Sequence, residues 1–236
     1  MASLADTHTP GAHGHSSLQH QFDTMEQQKE SSTLGMWVFL VTEIMFFGGL
    51  FLAYVAYRTR YPEAFAAASH TLDVTMGAVN TAVLICSSLT MALAIWCAQT
   101  NRRKGIVLFL LLTILLGAVF LGVKAVEYAD KFEHHHVPGA SFQFHTEGGH
   151  TGAEDPNLAQ HTQLFFSLYF VMTGLHATHM IIGIAILGFL AFYAWRGRYD
   201  REYHNPLEMT GLYWHFVDIV WIFLFPLLYL LGAHAS

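Results

Sequence analysis

The sequence predicts an all-α integral membrane protein built as a bundle of five transmembrane helices. Of its 236 residues, 53% are hydrophobic and only 12% are charged, and the mean hydropathy is +0.37. Soluble domains carry about 25% charged residues, so this composition indicates a membrane protein. A helix that crosses the bilayer needs roughly 20 apolar residues, and five segments of the chain meet that requirement.

The five predicted spans and the tail that precedes them account for nearly the whole chain. The spans cover residues 34–57, 74–98, 106–128, 163–195 and 210–232. Ser31, Ser32 and Thr33 are predicted to cap the first span, since Ser and Thr side chains accept bonds from free helix-end amides. Pro226 predicts a kink late in the last span. Residues 33–236 therefore form one transmembrane domain, and the polar, histidine-containing residues 1–32 are predicted to be a flexible tail.

The distribution of Lys and Arg predicts the orientation of the bundle. One side collects Lys29, Arg102, Arg103, Lys104, Arg196, Arg198 and Arg201, and the other has Arg58, Arg60 and Lys131, with Lys124 at a helix end. Basic residues accumulate in the short loops that lie on the cytoplasmic side of the membrane. We therefore expect a multi-pass membrane protein with its N-terminus on the inner, cytoplasmic side and its C-terminus outside.

The longest predicted loop, residues 129–160, lies on the outer side. This loop and its end contain six histidines: His134, His135, His136, His145, His150 and His161. They have neither a partner Cys nor a regular spacing, so docking onto a neighbouring subunit is a better interpretation than a metal site. Cys86 and Cys97 are interpreted as small packing residues. The formal charge of −6 gives no indication of nucleic-acid binding.

Ionisable residues inside three of the spans are the strongest candidates for a site. Glu43 lies in the first span, and the fourth and fifth each carry a polar pair three residues apart, His176 with His179 and His215 with Asp218. Such a pair shares one helix face. An ionisable group at membrane depth is costly unless it faces protein, water or a partner.

The depths of these residues predict that they meet. At 1.5 Å per residue, Glu43 and Asp218 lie roughly 15 Å and 13 Å from the inner ends of their helices, and His179 reaches nearly the same level. One such residue alone fits a structural role equally well. Together they predict a shared polar cleft or network inside the bundle.

Several longer motifs carry a resemblance to a known family. The strings WVFLVTEIMFFGGLFLAY, FVMTGLHATHMIIG and YWHFVDIVWIFLF, and VEYADKFE at the end of the third span, resemble subunit III of the haem-copper oxidases, the cytochrome c oxidase family. The similarity extends from about Gly35 to Gly232. Long members have seven helices, and this chain resembles the bacterial form that lacks the first two. The resemblance therefore implies the bacterial plasma (inner) membrane, with the N-terminus cytoplasmic and the C-terminus periplasmic.

The resemblance implies a lipid-binding, V-shaped cleft and a role for each matched residue. The cleft is expected between helices one and two and helices three to five. Glu43 matches the family's buried carboxylate near a bound lipid, and His179 matches a histidine that approaches the lipid phosphate. An arginine that also holds this phosphate is replaced by Tyr193, and Arg196, three residues on, is expected to take its place. The remaining matches to family motifs are His176, His215, Asp218 and Glu127.

The resemblance also implies a function and its partners. The chain is expected to be the non-catalytic subunit III of an aa3-type cytochrome c oxidase of the aerobic respiratory chain, without a metal centre of its own. It would pack against subunit I, with subunit II nearby, and haem and copper would lie in those partners. Bound phospholipid would support proton uptake and turnover stability, and a supercomplex with a cytochrome bc1-type complex or an alternative complex III is a further candidate assembly.

Other functions stay open from the sequence alone. A quinol oxidase or a nitric oxide reductase could carry the same kind of subunit, because electron-donor specificity lies in other chains. A stand-alone proton-relay transporter is a different class that buried Glu, Asp and His would also suit. The sequence has no inverted repeat and no paired broken helices, which argues against a transporter.

Overall fold

The computed structural model describes residues 21–133, 156–199 and 203–230, and all regular secondary structure within them is helical. The helices are α1 (Met25–Arg60), α2 (Pro62–Ser69), α3 (Val74–Gln99), α4 (Arg103–Glu133), α5 (Pro156–Trp195) and α6 (Asn205–Phe225). Five of them, all except α2, are long and apolar enough to cross a membrane. The predicted all-α class and the five spans are confirmed.

The first helix begins earlier than the sequence predicted. The side chain of Thr24 accepts a hydrogen bond from the Gln27 amide at 3.1 Å and caps α1. The predicted cap at residues 31–33 is wrong, because Ser32 and Thr33 lie inside the helix and donate to backbone carbonyls four residues back. Residues 25–32, assigned to the tail, are helical, and residues 1–20 lie outside the described part.

The outer loop is shorter than predicted, because helices extend into both of its ends. Helix α4 continues to Glu133 and α5 begins at Pro156. The interpretations of residues 134–155, docking and metal binding alike, lie outside the described residues. His161 belongs to α5, where its ring stacks on Tyr61 with centroids 3.7 Å apart.

Two turns on the opposite side end their helices with left-handed residues. After α3, Asn101 has φ 57° and the Arg102 amide donates to the Cys97 carbonyl at 2.8 Å. After α5, Gly197 has φ 75° and the Arg198 amide donates to the Tyr193 carbonyl at 3.1 Å. Both are Schellman-type ends that satisfy carbonyls of the last turn.

Helices α3, α4, α5 and α6 form a closed four-helix ring. Each packs against its two neighbours, whereas α1 lies outside the ring against α6 and α5, and α2 packs on α5. The predicted division of helices one and two from helices three to five is therefore wrong, because α3 packs most extensively against α4. Helix α1 buries only Leu40, Phe47 and Tyr54, one residue in seven along a single stripe.

Small residues let a large side chain fill the centre of the ring. The Trp214 ring of α6 lies against Gly117 of α4 and Gly183 of α5, where an added Cβ would stand 2.9 Å from it in each case. Trp214 also donates to Ser87 of α3 at 3.1 Å. In lipid, helices associate through such close packing and interhelical hydrogen bonds, so this layer joins all four helices.

The last span changes its winding at Pro226. Regular α-helix ends at Phe225, and Pro226–Leu230 form a π-helical turn. Proline has no N–H to donate four residues back, so the backbone widens at this point instead of continuing as α-helix.

The helix ends alternate between two sides, as membrane topology requires. Glu208, near the start of α6, meets Lys29 of α1 at 3.5 Å and Gln99, at the end of α3, at 3.3 Å. The Arg103 guanidinium, at the start of α4, lies beside Gly197 after α5. The described residues of the predicted basic side therefore lie at the same end of the bundle.

Candidate functional site: buried polar clusters between the spans

The predicted site residues of the spans, apart from His176 and Arg196, fall into three separate clusters. Glu43 meets His179 where α1 crosses α5. Glu127 of α4 meets Lys124, beside α5 and the end of α6. His215 and Asp218 lie with Ser88 between α6 and α3. The predicted single network is wrong, because helix rotation turns these residues toward different neighbours.

The first cluster is an acid–histidine pair. Glu43 Oε2 lies 3.2 Å from His179 Nε2, and both side chains are less than one-fifth exposed. The Phe47 ring, one turn further along α1, stands edge-on to the His179 imidazole at 5.4 Å. Tyr213 of α6 donates its hydroxyl to the His179 carbonyl at 2.9 Å. Three helices therefore position this pair.

The hydrogen bonds of His179 determine where protons can lie in the pair that it forms with Glu43. Its Nδ1 lies 2.9 Å from the Leu175 carbonyl, which only accepts, so Nδ1 holds a hydrogen. The contact between Nε2 and Glu43 then holds one proton, either on the ring facing a carboxylate or on the carboxyl facing a neutral ring. The pair has no net charge in either form. This explains how it can lie between apolar side chains.

Arg196 is too far from His179 to share a phosphate with it. Both residues belong to the α5 region, 17 positions apart, which corresponds to about 25 Å along a helix. Arg196 is exposed, with its guanidinium 4.6 Å from the centroid of the Phe192 ring. The predicted joint contact with one lipid head group is wrong, since helix rise separates the two side chains by most of the bilayer.

The second cluster is a closed cage around a buried ion pair. Lys124 donates to Glu127 Oε2 at 2.8 Å and to the Tyr229 hydroxyl at 2.8 Å. Glu127 Oε1 accepts hydrogen bonds from Tyr169, at 2.8 Å, and from Tyr229. Lys124 and Glu127 are 6% and 7% exposed. These bonds supply the compensation that a buried ion pair needs.

The sequence predicted only part of this cage. The family motif indicates Glu127, whereas the sequence pattern treats Lys124 as a charge at a helix end and does not single out Tyr169 or Tyr229. The available signal was the three-residue spacing of Lys124 and Glu127 within an apolar helix, which places them on one face. The tyrosines come from other spans, and tertiary packing brings them there.

His176 is enclosed by aromatic rings. It is 1% exposed, between Phe120 at 5.4 Å and Trp221 at 5.2 Å, measured between ring centroids. Neither ring nitrogen has a hydrogen-bond partner among the described residues. A lipid phosphate has no access to His176 in this packing, in contrast to the more exposed His179.

The third cluster lines a pocket between α3 and α6. Its volume is about 360 Å³. The Ser88 hydroxyl and His215 Nδ1 are 2.6 Å apart. Asp218, one turn further on, is 2% exposed. His215 and Asp218 thus share a helix face, as their spacing predicts.

In the described ranges, no three His, Cys, Asp or Glu side chains converge in the way that a metal site requires. The imidazoles of His179 and His215 instead have hydrogen-bonding partners within the bundle. These clusters can bind protons and form hydrogen bonds with polar groups between the helices.

This architecture defines a multi-pass membrane protein with internal polar clusters between its helices. Comparison with known proteins then gives its family. The sequence model of cytochrome c oxidase subunit III matches residues 16–151 and 156–233. The chain belongs to this family and is subunit III of a haem-copper oxidase.

Relatives in the family serve two kinds of oxidase. Cytochrome c oxidase subunit 3 of Synechocystis is 33% identical over 98% of this chain and 84% of its own length. The corresponding cytochrome c oxidase subunit of Thermostichus vulcanus is 32% identical over 89% of this chain and 92% of its own length. Quinol oxidase subunit 3 of Bacillus subtilis is 33% identical over 88% of this chain and 92% of its own length.

Proposed function

We propose that this chain is the accessory, non-catalytic subunit III of an aa3-type cytochrome c oxidase in a bacterial plasma membrane. The similarity to the Synechocystis cytochrome c oxidase subunit, which extends over 98% of the chain, is the observation that carries the proposal. Subunits I and II would hold haem and copper, reduce oxygen to water and pump protons. The present chain would stabilise them and support proton uptake through turnover.

Bound phospholipid is part of this proposal, placed differently from the sequence-based hypothesis. Helix α1 touches the bundle along one stripe and leaves broad apolar faces exposed, and acyl chains would cover these faces. Arg196 is exposed just beyond the end of α5, at the level where head groups lie, and its guanidinium suits a phosphate. The Glu43–His179 pair, which has no net charge, would contact acyl chains at mid-depth.

The electron donor can be tested on the purified complex. An affinity tag on this chain should recover an assembly with haem A absorption that oxidises reduced cytochrome c and consumes oxygen. Recovery of the chain without haem-containing partners would contradict an oxidase subunit and favour a stand-alone transporter.

The second candidate is subunit III of a quinol oxidase, supported by the Bacillus subtilis relative. In that case the same preparation would oxidise a short-chain quinol and leave reduced cytochrome c unchanged. Nitric oxide consumption in place of oxygen consumption would indicate a nitric oxide reductase instead.

The lipid proposal makes a separate prediction about working lifetime. Arg196→Ala should remove one phosphate contact and lower the tightly bound phospholipid, counted by mass spectrometry of the purified complex. Charge-assisted bonds contribute about 1.5 to 3 kcal/mol, so the dissociation constant of this lipid should rise about tenfold or more and less lipid should survive purification. Oxygen reduction should begin at the normal rate and fail earlier over repeated turnovers.

Two further variants complete the lipid experiment. Lys104→Ala, which removes an exposed cation from the same side of the bundle, is the matched control and should retain the lipid. His179→Ala should shorten lifetime by leaving Glu43 without its partner, with lipid content nearly unchanged. Normal lipid content and lifetime in Arg196→Ala would contradict the proposed phosphate site.

A further inference from the structure

Asp218 differs from the other acids of the described spans. Glu43 is paired with His179 and Glu127 with Lys124. Asp218 is 2% exposed, and neither carboxyl oxygen makes a hydrogen bond of normal geometry among the described residues. The nearby Ser88 hydroxyl is instead bonded to His215. An incompletely paired polar group at membrane depth is costly, so a donor from outside the described part of the bundle would stabilise this carboxyl.

The pocket beside Asp218 faces away from the core of the ring. It is lined by Ile85 and Ser88 of α3 and by His215, Asp218, Ile219 and Ile222 of α6. The three isoleucines are 43% to 53% exposed and form an apolar rim around the polar floor. This combination, an apolar rim around an acceptor, is what a transmembrane helix with one polar side chain would fit.

The depth of the pocket in the membrane restricts which kind of molecule can donate a hydrogen bond to Asp218. Asp218 lies 13 residues beyond Asn205, the first residue of α6, which corresponds to about 20 Å along the helix. The hydrocarbon core is about 30 Å thick, so phospholipid head groups remain well above or below this level. A protein side chain on a neighbouring helix can reach it.

We propose that a transmembrane helix of another oxidase subunit packs into the groove between α3 and α6 and donates a hydrogen bond to Asp218. A Ser, Thr, Asn, Gln, Trp or basic side chain has the required chemistry. The bond between Ser88 and His215 holds the pocket floor in place. The inference rests on the assembly of this chain with other oxidase subunits and adds the face and the residue involved.

Photocrosslinking in membranes that contain the whole oxidase tests the docking face directly. The photoreactive amino acid p-benzoylphenylalanine would replace Ile219 on the pocket rim, and Ile181, an equally exposed residue of α5, in the control. We expect a covalent adduct between position 219 and another oxidase subunit, identified by mass spectrometry. Adducts at position 219 with lipid or quinone alone would overturn the proposal.

Substitution of the acid tests its contribution to assembly. Asp218→Leu removes the acceptor and should increase at least threefold the fraction of this chain lost when the purified complex is washed with detergent. Asp218→Asn keeps the shape and one acceptor oxygen, so retention should be intermediate. Equal retention of wild type and Asp218→Leu would overturn the hydrogen bond.

Failure of the proposed function and failure of the docking face would give different results. If the wild-type chain did not copurify with oxidase subunits, the proposed function would fail. Copurification with no protein adduct at position 219 would overturn only the docking face. A normal amount of Asp218→Leu in the membrane fraction would show that its loss on washing reflects a weaker interface.

Discussion

At the scale of single residues, stability depends on how each buried charge is compensated. The cage around Lys124 and Glu127 surrounds both charges with donors or acceptors from three helical segments. Removing one member of a buried ion pair leaves the other uncompensated, whereas an exposed pair contributes little. The two situations occur in this chain with the same residue types, which allows a matched comparison.

Glu127→Gln should destabilise the subunit strongly. The substitution leaves Lys124 charged and buried, at an expected cost of about 3 to 5 kcal/mol. The temperature at which this subunit dissociates from the purified oxidase, followed by size-exclusion chromatography, measures the effect. The control is Glu208→Gln, which weakens partly exposed contacts with Lys29 and His204 near a helix end and should cost less than about 1 kcal/mol.

A double variant separates the buried charge from the lost hydrogen bonds. Lys124→Gln with Glu127→Gln removes both charges and keeps polar groups beside the tyrosines. It should recover more than half of the stability lost in Glu127→Gln. A double variant as unstable as the single one would show that hydrogen-bond geometry, and not the uncompensated charge, dominates.

At the scale of helices, close packing around Trp214 determines which glycines can change. An added Cβ at Gly183 would meet the Trp214 ring at 2.9 Å, whereas one at Gly188, on the same helix, meets nothing within 4 Å. Gly183→Ala should therefore destabilise the bundle by about 1 to 3 kcal/mol through overpacking. Gly188→Ala should be neutral or stabilising by up to about 1 kcal/mol, because Ala is the better helix former.

Dissociation temperature of the subunit is again the measurement for this pair of variants. Both substitutions add one methyl group to α5, so the expected changes in stability of opposite sign isolate the effect of the contact with Trp214. Equal effects would mean that the helices relax around Trp214 without cost.

Helix α1 is attached to the ring more weakly than the other spans. Phe47 is its main anchor, with 2% exposure and ring contacts to His179 and Phe216. Phe47→Ala should loosen α1 and speed hydrogen exchange of its amides in nanodisc-embedded oxidase. The stability cost should be below the about 3 to 5 kcal/mol of soluble cores, because lipid replaces the lost contacts.

The adjacent Phe46 provides the control for this experiment. Its side chain is 47% exposed, on the side of α1 that faces away from the bundle. Phe46→Ala should leave hydrogen exchange unchanged within a factor of two. Faster exchange in both variants would point to a general effect of losing an aromatic ring from α1.

At the scale of the whole molecule, contacts between helix ends establish which ends lie on the same side of the membrane. The distribution of Lys and Arg predicts that this side is the cytoplasmic one. In a background with Cys86 and Cys97 replaced by Ser, Lys104→Cys should react with a membrane-impermeant maleimide only after the cytoplasmic side is opened. Glu63→Cys, on α2 at the other end, should react in intact cells. The reverse pattern would overturn the proposed orientation.

The sequence by itself determined the membrane class, the five spans and the family. A membrane span requires only about 20 consecutive apolar residues. This is a local property of the sequence and does not depend on which helices pack together. The motifs around Glu43, His179 and His215 are also contiguous strings. The spacing of His215 and Asp218 correctly placed both residues on one face, because helix periodicity is fixed.

Only the tertiary structure decided which polar residues meet. Depth arithmetic located Glu43, His179 and Asp218 at similar levels but contained no information on helix rotation or neighbour order. Packing around Trp214 places α3 beside α4 and α6, with α1 outside the ring, so Asp218 faces α3 while Glu43 faces α5. Tyr169 and Tyr229 complete the Lys124–Glu127 cage from 42 or more positions away in the chain, a separation at which sequence spacing contains no geometry.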